Sequence, residues 1–136
     1  MTLNPYLLFN GECAAAFKFY EQCFGGKIEM SMTYGEIPAG EPAAENIRHL
    51  IAHVRMVIDG MVLMGGDAPP ERYQKPAGFS VSLNVDRASE AERIFAALAD
   101  GGSIGMPLQS TFWAERFGMV TDRFGSPWMV SFAKPA

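Results

Sequence analysis

One supersecondary pattern occurs twice along these 136 residues, and that repeat restricts the fold more than any other property of the chain. Tyr6–Phe9 is a short apolar run ending at Asn10-Gly11. A helical pattern follows from about Glu12 to Phe24, and Gly25-Gly26 stops it by supplying the left-handed backbone a helix end favours. Lys27–Tyr34 alternates Ile28, Met30, Met32 and Tyr34 with Glu29, Ser31 and Thr33, the periodicity of a strand. Gly35–Asn46, rich in Gly, Pro, Ala and Glu, reads as a surface loop. Arg48–Ile58 and Met61–Gly65 then flank Asp59-Gly60, the dipeptide of a tight type I′ hairpin.

The same order returns at an offset of about 75 residues: a strand at Phe79–Val85, a helix at Ala88–Asp100 ended by Gly101-Gly102, and three short strands near Ser103–Gly105, Phe117–Thr121 and Pro127–Phe132. The helix stripes superpose, with Ala16, Phe19, Tyr20 and Cys23 matching Ala91, Ile94, Phe95 and Leu98. Both have the 3-1-3 spacing that lines four side chains on one face. The repeat is one of pattern, since few letters coincide. It predicts an α+β fold of two paired βαβββ modules, at about 3–67 and 78–133, within a single domain spanning 1–136.

Each helix can cover one face of its sheet and leaves the other open. Leu50, Ala52, Val54, Met56 and Ile58 form one apolar strand face, and Phe79, Val81, Leu83 and Val85 another; these are expected beneath the helices. The opposite faces carry His49, Ile51, His53, Arg55 and Val57 in one strand and Ser80, Ser82 and Asn84 in the other. A polar lining on curved mixed sheets suits a solvent-accessible cup.

Composition removes several function classes. The chain has 15 acids against 11 bases and no basic cluster, so it lacks the positive footprint of a nucleic-acid binder. No apolar run approaches the roughly 18–20 residues that span a bilayer, and the first residues lack the basic and apolar regions of a signal peptide. No membrane association and a cytoplasmic location are the expectation. Cys13 and Cys23 fall on one helix, where ten residues at about 1.5 Å rise hold them roughly 15 Å apart, beyond disulfide reach. They read as buried small hydrophobes.

Three blocks resemble the vicinal oxygen chelate superfamily (the glyoxalase and bleomycin-resistance fold), and within it the PhnB-like group. They are Asn4-Pro-Tyr-Leu-Leu-Phe-Asn-Gly-Glu-Cys-Ala-Ala-Ala-Phe-Lys-Phe-Tyr20, Gly78-Phe-Ser-Val-Ser-Leu-Asn-Val-Asp86 and Thr111-Phe-Trp-Ala-Glu-Arg-Phe-Gly-Met-Val-Thr-Asp-Arg-Phe-Gly-Ser-Pro-Trp128. The third is the most specific. The resemblance runs from about residue 3 to 133 and implies the paired-module cup and a homodimer. Proteins of this group are often labelled demethylubiquinone methyltransferases. The usual methyltransferase needs a glycine-rich strand-to-helix loop in a doubly wound sheet, whereas Gly101-Gly-Ser-Ile-Gly105 follows a helix.

The resemblance also implies four divalent-metal positions, two per module, at the first and last strands. Aligned on the strand-to-helix turns and terminal strands, these are Pro5, Ser80, Met64 and Met129. Proline has no donor atom, thioethers suit hard and borderline cations poorly, and a neutral hydroxyl is weak. No metal and no cofactor is expected at these positions. His49 and His53, four apart on a strand, would lie roughly 13 Å apart and cannot share one ion.

The expected ligand-binding residues are His53, Arg55, Met64, Ser80, Ser82, Asn84, Trp113 and Met129. The Asp59-Gly60 turn pairs Ile58 with Met61, hence Arg55 with Met64 and His53 with Gly66, and paired residues share a face. Arginine offers a permanent charge and a planar fork for carboxylate or phosphate, and histidine can exchange protons near neutrality. Arg55 has Glu29 and Asp67 as alternative ion-pair partners. Three functions stay open: a metal-independent protein that binds or processes a small anion, a metal-dependent lyase, isomerase or dioxygenase, and a sequestering protein without turnover. No catalytic residue is assigned.

Overall fold

Turn chemistry and apolar spacing build the same unit twice. The computed structural model describes residues 1–38 and 43–134, and the chain divides into two compact units, Met1–Gln74 and Lys75–Ala136. The first contains β1 (Tyr6–Phe9), α1 (Cys13–Phe24), β2 (Lys27–Thr33), β3 (Ile51–Ile58) and β4 (Met61–Asp67). The second contains β5 (Val81–Asn84), α2 (Ala88–Ala99), β6 (Ser103–Gln109), β7 (Ala114–Thr121) and β8 (Pro127–Ala133). Each unit is a βαβββ module with one four-stranded mixed sheet, ordered β1-β4-β3-β2 and β5-β8-β7-β6. The outer pairs β1–β4 and β5–β8 are parallel and the remainder antiparallel.

Asp59 and Gly60 both have positive φ, 46° and 79°, as a type I′ turn requires. The turn fixes the expected register: Ile58 pairs with Met61 and Arg55 with Met64. Under α1 lie Leu7, Phe9, Val54, Met56 and Leu63, all buried. The helix contributes Cys13, Ala16, Phe17, Tyr20 and Cys23. Phe17, not Phe19, belongs to the buried stripe, because it presses onto Gly65. A Cβ there would lie 2.7 Å from the Phe17 ring and from the Leu7 carbonyl. In the second unit the buried stripe is Ala91, Ile94, Phe95 and Leu98, as expected, and Phe95 sits on Gly118 in the same way, 2.6 Å from the position a Cβ would occupy.

Several boundaries differ from expectation. The strand expected from Arg48 begins at Ile51. Thr33 pairs with Ile51 but Met32 with His53, so Ala52 is the extra residue of a bulge, and Ile51 turns inward in place of Leu50. β6 runs through Gly105 and Pro107 to Gln109. It is an edge strand with two register shifts, where proline is tolerated. α2 packs over β6, β7 and β8, so on β5 Val81 and Leu83 stay half-buried and Phe79, just before the strand, is exposed. Of the expected loop Gly35–Asn46, residues 39–42 lie outside the described residues. Its flanks form short 3₁₀ turns at Tyr34–Glu36 and Glu45–Ile47.

The turn from Asp122 to Trp128 serves the fold. Asp122, 3% exposed, accepts hydrogen bonds from the Phe124 and Ser126 amides at 2.9 and 3.0 Å and from the Trp128 indole N–H at 2.8 Å. Gly125, at φ 93°, completes the turn. Trp128 is itself 1% exposed, a burial that costs about 3–5 kcal/mol to delete.

Candidate ligand-binding face

Parity decides which side chains the helices leave uncovered. In β3, Val54 and Met56 face α1, which sends His53 and Arg55 to the other side; in β4, Leu63 and Gly65 send Met64 there; in β1, Leu7 and Phe9 send Tyr6 and Leu8 there. Register then lines up one continuous row across all four strands. Tyr6 pairs with Met64, Met64 with Arg55, and Arg55 with Met30. The row behind it contains Leu8, Gly66 and Met32, with His53 opposite Met32.

Gly66 makes room for the Tyr6 phenol, whose oxygen would lie 3.1 Å from a Cβ at that position. The phenol oxygen is 3.0 Å from His53 Nδ1 and 3.3 Å from the Ala52 carbonyl. The two rings stack with centroids 5.5 Å apart and planes 18° from parallel. Burial raises the Tyr6 phenol above its ordinary pKa, and the nearby Cys13 and Tyr34 groups raise it further. Arg55 forms an ion pair with Glu29, which settles the two alternatives in favour of Glu29. Both side chains remain more than a third exposed, so this pair adds little stability.

Asp67, the other partner considered, has a different task. Only 2% exposed, it accepts from the Cys13 amide at 3.0 Å and the Ile51 amide at 2.9 Å. It thereby caps the N-terminus of α1, whose preceding Glu12 gives no side-chain cap, and anchors the first residue of β3. Tyr34 donates to the Asp67 carbonyl at 2.6 Å. Burial, and then the Asp67 charge, push the Cys13 thiol well above its ordinary range, so it is a packed, unreactive group.

The second unit has its own open face. Ser82 pairs with Met129, Met129 with Met119, and Met119 with Met106. Asn84 pairs with Ser131, Ser131 with Phe117, and Phe117 with Gln109. This face carries hydroxyl, amide and thioether groups and no charge along those rows. Trp113 lies between β6 and β7 at the tip of a turn tied by Thr111 and Ala114. Thr111 accepts the Ala114 amide on its hydroxyl at 3.1 Å, and its own amide reaches the Ala114 carbonyl at 2.9 Å. The Trp113 ring stands edge-on to Phe112 and Phe117, with centroids 4.7 and 5.4 Å away.

His53, Arg55 and Met64 therefore share the open face of the first unit. Ser82, Asn84 and Met129 share that of the second, and Ser80 precedes β5. His49 lies in an exposed turn before β3, apart from His53. Tyr6 was missed from sequence, since its parity depends on β1 pairing with β4. The signal was Gly65-Gly66, a glycine pair inside a strand, which marks close approach of another group.

Two of the four positions aligned as metal ligands are displaced. Tyr6, not Pro5, stands beside Met64, and Ser82, not Ser80, beside Met129. Pro5 shares the parity of Leu7 and Phe9, the helix side. At these positions each unit presents one thioether and one hydroxyl, and the Arg55 cation flanks Met64. Among the described residues, no group of three or more His, Cys, Asp or Glu side chains is placed to hold a metal ion. Among the described residues, no helix is long and apolar enough to cross a membrane.

Paired βαβββ modules with one open face each define a class of protein that sequence comparison identifies as well. Residues 2–130 match the Glyoxalase/Bleomycin resistance protein/Dioxygenase superfamily, and the chain belongs to it. It is similar to Protein YjdN of Escherichia coli strain K12, 37% identical over 98% of this chain and 97% of that one. The crystal structure of protein PA1353 from Pseudomonas aeruginosa is 46% identical, covers 99% of both chains and superposes with a TM-score of 0.92. A PhnB protein from Bacillus cereus, described as a putative 3-demethylubiquinone-9 3-methyltransferase, shares the fold at a TM-score of 0.80. It is 24% identical and covers 98% of this chain and 100% of its own.

Proposed function

We propose that this protein binds a small, partly apolar anion on the open face of its first unit, without a catalytic metal, and acts in the cytoplasm. The observation that carries this is Arg55, placed mid-row between Met64 and Met30 with His53 two residues away on the same face. A guanidinium gives bidentate hydrogen bonds to a carboxylate or phosphate, and the flanking thioethers accommodate apolar groups of varied shape. Its ion pair with exposed Glu29 is the contact a ligand would replace. A lyase, isomerase or dioxygenase working through a bound divalent ion is disfavoured by the donor chemistry of both rows. The methyltransferase activity in the Bacillus protein's description is not carried over, because neither mixed sheet offers a doubly wound nucleotide fold.

Sequestration without turnover is a second reading, favoured by the uncharged Ser82–Met129–Met119–Met106 row, which suits adaptable binding more than acid–base work. A homodimer is proposed as well. Phe112 is 88% and Trp113 50% exposed, and a second copy would remove them from water; a monomeric mass by sedimentation equilibrium would dismiss it. The test of the main reading is calorimetric titration with phosphate and small phosphonates and carboxylates, using wild type and Arg55→Ala. Losing one charged, bidentate contact should weaken binding about tenfold or more. Equal affinity in the variant would remove Arg55 from the site.

A further inference from the structure

Tyr6 has one hydroxyl proton and two polar neighbours. The Ala52 carbonyl at 3.3 Å can only accept, while His53 Nδ1 at 3.0 Å accepts or donates according to tautomer. If the phenol gave its proton to Nδ1, its oxygen would meet the Ala52 carbonyl oxygen lone pair against lone pair. If it donates to Ala52, Nδ1–H is free to donate to the phenol oxygen, and all three groups are satisfied. The raised phenol keeps its proton to do so. Stacking on Tyr6 fixes the imidazole plane, and His53 Nε2 has no partner among the described residues.

We propose that Tyr6 is a positioning residue that holds neutral His53 in its Nδ1–H tautomer, leaving Nε2 as an unprotonated acceptor on the open face. Free histidine side chains in water favour the opposite tautomer, so the arrangement is imposed by the Tyr6–Ala52 contacts. The consequence for recognition rests on the anion reading above. Arg55 and Nε2 stand on one strand face two residues apart, about 7 Å along the strand. Together they suit an anion that also carries a hydroxyl or similar proton-bearing group, such as a hydroxycarboxylate or hydroxyphosphonate. The hydroxyl would donate to Nε2, the position from which a base removes a proton.

The experiment is long-range proton–nitrogen correlation NMR on ¹⁵N-histidine protein, at a pH above the histidine range, for wild type and Tyr6→Phe. His49, exposed in its turn, reports the unconstrained tautomer in the same sample. Wild type should show His53 protonated on Nδ1, and Tyr6→Phe should revert it to the His49 pattern. A wild-type His53 protonated on Nε2, or a pattern unchanged in the variant, would overturn the assignment. Lactate and propionate, one carboxylate with and without a hydroxyl, then serve as probes. Lactate should move the His53 Nε2 resonance and propionate should not. Equal movement by both, or none by either, would overturn the hydroxyl-bearing ligand class. Failure of the tautomer leaves the Arg55→Ala titration standing, and failure of that titration leaves the tautomer standing.

Discussion

In the first unit the open row runs Tyr6–Met64–Arg55–Met30, with His53 bound to the phenol behind it. In the second it runs Ser82–Met129–Met119–Met106. The backbones follow one plan, and the side chains differ: the first row carries a charge and a hydrogen-bonded pair, the second is uncharged and soft. Each unit also spends one buried aspartate on its architecture. Asp67 joins a helix start to a strand start across 54 and 16 residues of sequence. Asp122 closes a turn within six. The two units thus share their packing plan while the open-face chemistry and the aspartate contacts are particular to each.

The aspartates offer the strongest way to break that contrast. Asp122→Ala removes the acceptor of three N–H hydrogen bonds, two of them buried, and should cost about 4 kcal/mol. Asp67→Asn keeps one acceptor and loses the other, costing about 2 kcal/mol. Both tryptophans, Trp113 and Trp128, lie in the second unit, so denaturation followed by tryptophan fluorescence reads that unit alone. Asp122→Ala should shift this transition strongly. Asp67→Asn should instead raise hydrogen exchange at the start of α1 and of β3 together. Equal changes at both places in either variant would deny the aspartates separate tasks.

Helix seating should be alike in the two units. Gly65→Ala and Gly118→Ala each force a methyl into backbone and ring atoms, and each should cost about 1–3 kcal/mol by overpacking. A variant that is neutral by chemical denaturation would show that its helix can shift, and that the shared packing is shallower than the glycines suggest.

Alkaline pH should separate the units by a smaller margin. Cys13, Tyr6 and Tyr34, all in the first unit, have pKa values raised chiefly by burial. Above the ordinary thiol and phenol ranges the unfolded chain releases protons that the folded chain retains. The unfolded state then binds fewer protons and stability falls as pH rises. Their contribution is whole below about pH 8 and declines from there upward. Hydrogen exchange between about pH 8 and 10, corrected for intrinsic rate, should therefore lose protection in the first unit before the second. Simultaneous loss would contradict it.

Much of this was legible from local chemistry. Asp59-Gly60 fixed a turn, the turn fixed Arg55 opposite Met64, and alternation placed both on one face. What escaped depended on pairings distant in sequence. Pro5 was mistaken for a face residue because the parity of a four-residue strand is set by its parallel partner β4. Tyr6 was overlooked for the same reason, although Gly66 records the space it occupies. The bulge at Ala52, which shortens β3 and leaves His49 in a turn, has no glycine to announce it. The Asp122 turn shows the reverse: its letters were the most recognisable in the chain, and they turned out to serve the fold.

We propose that ligand chemistry resides on the first unit's open face and needs no divalent ion. The most direct measurement is amide chemical-shift mapping of phosphate and phosphonoacetate titrations in the presence of a chelator. Saturable shifts centred on Met30, His53, Arg55 and Met64, absent in Arg55→Ala, are the predicted result. Shifts centred on Ser82, Met119 and Met129, or shifts that appear only when the chelator is replaced by a divalent cation, would contradict it.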